Sequence, residues 1–172
     1  MLTHLTVLHL GALLCAAGAI WGTFREAHGW LRRWPSLMGA AILVMLAAAH
    51  LLLVQFLMED GVVHKRWVAG VVGGLAVGGL AVGAWRGSRT EVQVDHLWGL
   101  MRLPRDRDGL WMSLLCLVIV IFEITSVFVD TMLTQRQHVY VVAIAAGCGG
   151  FMMGRLFAIL VRARLSPQED LR

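Results

Sequence analysis

Five runs of consecutive apolar residues dominate this chain: 2–24, 37–58, 67–85, 110–129 and 139–161. A hydrocarbon core about 30 Å thick takes roughly 20 helical residues to cross, so each run has the length of one membrane span. The runs are continuously apolar, without the alternation of a membrane-spanning strand, which excludes a barrel. The expected fold is all-α: a five-transmembrane-helix bundle forming one integral membrane domain over 1–172. Composition agrees, with 58% hydrophobic and 15% charged residues against about 45–50% and about 25% in soluble domains. Disorder and soluble nucleic-acid binding are excluded, because the basic residues sit between apolar runs and not on one face of a soluble fold.

Within the first run, Ala17-Gly18-Ala19 looks like a signal-peptide cleavage site. No Lys or Arg precedes it, whereas Arg25, Arg32 and Arg33 follow, the pattern of a retained span. Counting five spans puts eleven Lys and Arg residues in the connections after the first and third runs and at the C-terminus. Only Lys65, Arg66 and Arg136 fall on the other side. The positive-inside rule then expects the N-terminus outside and the C-terminus in the cytoplasm. Trp21, Trp30, Trp34, Trp67, Trp85 and Trp111 cluster at span ends, as interfacial aromatic residues do. The cytoplasmic loop 86–109 alternates apolar and polar residues on both sides of Gly99, which predicts a short β-hairpin ended by Pro104.

Small residues let helix backbones approach where lipid supplies no hydrophobic drive. The third run carries Gly70-x-x-x-Gly74-x-x-x-Gly78 and then Gly79-x-x-x-Gly83. Its five-residue near-repeat spreads glycine around more than one face, which predicts a central third helix. Gly11, Cys15, Gly18 and Gly22 in the first run, and Ala143, Gly147, Gly150 and Gly154 in the fifth, form further seams. Cys15, Cys116 and Cys148 lie in apolar runs, outside any Cys-x-x-Cys pair, and read as small packing residues.

Ionisable groups within a span are costly, so each is a functional candidate. Glu123 lies about 10 Å from the outer end of the fourth run, His50 about 12 Å from that of the second, and His9 about 9 Å from that of the first. Ser113, Cys116, Glu123, Ser126 and Asp130 recur at helical spacing and should face other helices. His9, His50, Glu123 and Ser126 therefore form a candidate intramembrane polar site. His4, Glu59, Asp60, His64, Asp130 and His138 add titratable groups at the outer surface. Such groups could fix helix register through hydrogen bonds, relay protons or ions, or hold haem b or a transition metal. His4 and His9 point about 140° apart on a helix and are not a chelating pair. Arg155 falls well below Glu123, and its stem is expected to extend to the cytoplasmic interface.

Val92-x-Val94-Asp95, Gly99, Arg102-Leu103-Pro104, Phe122 and Gly154-Arg155 carry a resemblance of the C-terminal half, about 83–160, to a group of small bacterial multi-pass inner-membrane proteins. That group is a domain family of unknown function related to the CcdC-like family. The resemblance implies a multi-pass bacterial membrane protein. This chain departs from the pattern at Arg105-Asp106, and Glu123 is not part of it.

Neither a Ser/His/Asp arrangement, a Walker loop nor His-Glu-x-x-His is present in the sequence. The expected function is a non-enzymatic accessory subunit or small permease-like unit with no cofactor, partnered by the lipid bilayer and by a homo-oligomer or larger membrane complex, with no nucleic acid. The alternatives are a redox protein holding haem or metal through His9 and His50, and a pure interaction protein such as a membrane immunity factor.

Overall fold

The structure, a computed structural model, describes residues 2–27, 32–58, 62–95, 100–104, 107–128 and 135–167. The helices are α1 (Leu2–Ala27), α2 (Trp34–Met58), α3 (Val62–Ser88), α4 (Asp108–Phe128) and α5 (Gln135–Leu165). Each contains a segment long and apolar enough to cross a membrane, so this is a multi-pass, all-α membrane protein. Terminal charges suit the helix dipoles: Asp108 opens α4, while Arg86 and the pair Arg162 and Arg164 lie in the last turns of α3 and α5.

The hairpin expected in the loop after α3 is present, as β2 (Gln93–Asp95) antiparallel to β3 (Leu100–Arg102). A third strand was not foreseen. β1 (Arg32–Arg33), between α1 and α2, adds to the far side of β3 with Arg32 opposite Met101, giving the order β1-β3-β2. Val94, Met101 and Leu103 then pack on Ile159 and Ala163 of α5 in a small core of their own. Arg162 Nη1 donates to the Thr90 carbonyl at 2.9 Å, and Ser166 Oγ donates to that of Val92 at 3.4 Å. The connection after α1, the connection after α3 and the C-terminal end of α5 are thus gathered at one end of the bundle.

The helix expected at the centre is instead peripheral. Among the described residues, the extensive helix contact of α3 is with α5 alone, while α5 also packs on α2 and α4, and α1 packs on α2 and α4. The two helices α3 and α5 run parallel. A Cβ on Gly79 would run into the Gly147 carbonyl, one on Gly83 into that of Phe151, and one on Gly87 into that of Arg155. The seam is reciprocal, since Gly150 lies against the Ala76 carbonyl and Gly154 against that of Leu80. Toward the other end of α3 the same face continues as Val68 and Val72, both buried.

That register accounts for the correction. Positions 68, 72, 79, 83 and 87 share one ridge, and Gly70, Gly74 and Gly78 fall off it. A Cβ at any of these three would meet nothing within 4 Å, so they pack against no other part of the described chain. The glycines of α1 do form a seam, antiparallel to α2: Gly11 lies under the His50 ring, Gly18 against Leu43 and Gly22 against Ala40. Cys116 and Cys148 are buried among apolar neighbours, and Cys15 is half-buried.

Gly83→Val should therefore cost about 1–3 kcal/mol or more by forcing α3 off α5. Gly74→Ala should be neutral, or stabilising by up to about 1 kcal/mol through helix propensity. Thermal unfolding in a mild detergent checks both, with a lowered midpoint expected for the first and an unchanged or raised one for the second.

Candidate functional site

The polar stripe of α4 faces inward as its spacing predicts. Ser113, Cys116, Glu123 and Ser126 are all buried, on the side of α4 that meets its neighbours. Asp130, the last member of the stripe, lies outside the described residues. Glu123 stands five residues, or about 7 Å, from the end of α4.

Its partner comes from α5. His138 Nδ1 lies 3.0 Å from Glu123 Oε1; the carboxylate side chain is 5% exposed and the imidazole 22% exposed. The second oxygen, Oε2, is buried and has no hydrogen-bond partner among the described residues. Ser126 lies one turn on and donates its hydroxyl to the Glu123 backbone carbonyl at 2.8 Å. The contact supports two proton arrangements of equal geometry: Nδ1–H donating to a carboxylate, or a protonated carboxyl donating to the imidazole nitrogen.

Of the expected companions of Glu123, His50 is turned elsewhere. Its Nδ1 donates to the Leu46 carbonyl at 2.6 Å, one turn back on α2, and its ring covers Gly11, where a Cβ would stand 3.0 Å from Nε2. Gly11 makes room for that ring, so His50 serves the α1–α2 seam. His9 is buried on α1, which packs against α4. The partner that the sequence placed at the outer surface, His138, is the one the structure brings to the carboxylate. Glu59, Asp60 and Asp130 lie outside the described residues, as do the side chains of His4 and His64. Among the described residues, no three His, Cys, Asp or Glu side chains stand close enough to hold one metal ion.

Further buried polar groups lie on other elements. Gln55 on α2 is 5% exposed, Asp95 on β2 1%, and Arg155 on α5 3%. Arg155 was expected to extend to the interface; it is enclosed instead, because its backbone lies directly under Gly87 and α3 covers that side of α5. A Trp–Arg stack marks the sheet end of α3, where Arg89 lies 4.2 Å from the Trp85 ring, and Arg25 lies 5.7 Å from the Trp21 ring on α1. Arg86 Nε donates to Asp108 Oδ2 and ties the end of α3 to the start of α4.

Comparison of the chain with protein-family models, with curated proteins and with solved structures finds no match. The functional reading therefore rests on the site itself. Of the residues that carried the family resemblance, Val94 and Leu103 pack at the sheet and Gly154 packs along the α3–α5 seam.

His138→Ala should destabilise the protein by about 3 kcal/mol, since it leaves a buried carboxylate with no partner. Glu123→Gln keeps a hydrogen bond to the imidazole and should cost about 1 kcal/mol. Unfolding midpoints of the two variants, compared side by side, test this order.

Proposed function

We propose that this chain is a non-enzymatic protein of the bacterial cytoplasmic membrane, an accessory subunit or small permease-like unit working within a homo-oligomer or larger membrane complex. Its functional element is an intramembrane polar site near the outer leaflet. The observation that carries this reading is Glu123, a carboxylate buried between two helices and joined to an imidazole from the next one. A buried ionisable group destabilises a bundle relative to an apolar residue of similar size, so its presence here points to use.

Orientation follows from charge. The three segments that gather at the sheet end hold Arg32, Arg33, Arg86, Arg89, Arg102, Arg162 and Arg164, which supports placing that end in the cytoplasm and Glu123 toward the outside. The Trp85–Arg89 and Trp21–Arg25 stacks at the same end fit an interfacial depth.

Three measurements test the reading. A fluorescent reporter that folds only in the cytoplasm, fused after Arg172, should fluoresce; a dark fusion of normal abundance would reverse the orientation. In a strain lacking the protein, a Glu123→Gln copy present at wild-type abundance should fail to restore the lost phenotype. Full restoration would remove Glu123 from the function. The same purified protein should be colourless, and a Soret band abolished by His50→Ala would replace this reading with haem binding.

A further inference from the structure

A carboxylate as enclosed as Glu123 is costly to keep charged unless a positive charge or a proton neutralises it. Few groups are placed to do so. On α1, the helix packed against α4, the buried titratable residue is His9, with Cys15 and Arg25 about 9 Å and about 24 Å further down the helix. On α2 it is His50, whose Nδ1 is engaged by the Leu46 carbonyl. Cys116 lies two turns down α4, Cys148 lies three turns down α5, and Arg155 stands about 25 Å below His138 by helical rise. The hydrogen-bond partner that the described residues give this carboxylate is His138.

Electroneutrality of the pair therefore takes one proton beyond those carried by a carboxylate and a neutral imidazole. That proton sits on the ring, making an ion pair, or on the carboxyl oxygen, making a neutral hydrogen bond. Its loss leaves a net negative charge in the seam between α4 and α5. The two partners also differ in access. Oε2 is buried, whereas the imidazole is partly exposed in the first turn of α5, at the end of the bundle away from the sheet.

We propose that Glu123 and His138 together form a proton-binding site, supplied through the imidazole from the end of the bundle opposite the sheet, and that the bound proton holds α4 against α5 there. This rests on the reading of Glu123 as the functional polar residue. On binding, a proton leaves water or a buffer acid and forms one N–H or O–H bond within the pair; no electron moves. The closed contact holds this proton, and an opened contact exposes both groups to water, so acidification favours the closed form and rising pH loosens it.

Amide hydrogen exchange of the full chain in detergent, corrected for the intrinsic rate, reads this directly. Between about pH 6 and about pH 8, the range in which imidazole ordinarily titrates, protection in 121–128 and 137–142 should fall severalfold in the wild type, while the α3–α5 seam stays unchanged. Glu123→Gln is nearly isosteric and needs no proton for neutrality, so its protection should be flat across the same range. The double variant Glu123→Gln, His138→Gln, which carries neither titrating group, should also be flat. Infrared difference spectra over the same pH step should show a carboxyl or imidazole band in the wild type that Glu123→Gln lacks.

A wild type whose protection does not change with pH overturns proton binding and leaves the polar-site reading standing. A Glu123→Gln protein that keeps the wild-type pH response assigns the proton to another group and also overturns the proposal. Full restoration of function by Glu123→Gln overturns instead the reading on which the proposal rests.

Discussion

Hydrocarbon surrounds this protein in either its assembled or its dissociated state, so burying leucine against leucine gives its helices little reason to associate. What distinguishes the assembled state is closeness of backbone to backbone, and the parallel seam of α3 and α5 supplies it. Glycine hydrogens of each helix lie on carbonyl oxygens of the other, at Gly79, Gly83 and Gly87 on one side and Gly150 and Gly154 on the other. The other face of α5 meets α2, with Gly149 over Met45, and α4, through His138. Fixing α5 in this way determines where the imidazole stands relative to the carboxylate of α4. The site is therefore a consequence of the seam.

How much of this was legible varies with the physical quantity involved. Span number and helical class follow from run length, which hydrocarbon thickness dictates, and all five runs became helices. The hairpin was legible from alternation and a glycine turn. β1 was not, because a two-residue strand has no period to read; it exists only because Arg32 and Arg33 find the open edge of β3. The importance of glycine in the third run was visible, but spacing alone does not say which of two glycine ridges a helix uses. Val68 and Val72 complete the ridge of Gly79, and that ridge meets α5.

The Glu123–His138 pair was half legible. A carboxylate inside an apolar run announces itself, and its stripe with Ser113, Cys116 and Ser126 predicted the burial. Its partner was misplaced for a geometric reason. The apolar run begins at Val139, which puts His138 at the surface, but α5 begins at Gln135 and its first turn extends past the apolar run. That extra turn brings the imidazole alongside α4. His50, which depth alone made a companion of Glu123, is drawn toward α1 by the space above Gly11, and depth carries no information about facing.

The pairing of α3 with α5 also has a consequence for the order in which the molecule comes into being. Chains enter a membrane from their N-terminus, and by the time α4 is complete α1, α2 and α4 can already contact one another. α3 cannot join them, since its extensive contact is with the last helix, whose first residue comes 47 positions after Ser88. Until then it waits in lipid with the ridge of Gly79, Gly83 and Gly87 uncovered. The nascent protein thus passes through a stage in which a ready-made association surface is open to any neighbouring helix, and synthesis of α5 ends that stage. Because α5 also carries His138, the step that brings α3 into the bundle is the step that gives the carboxylate of α4 its partner.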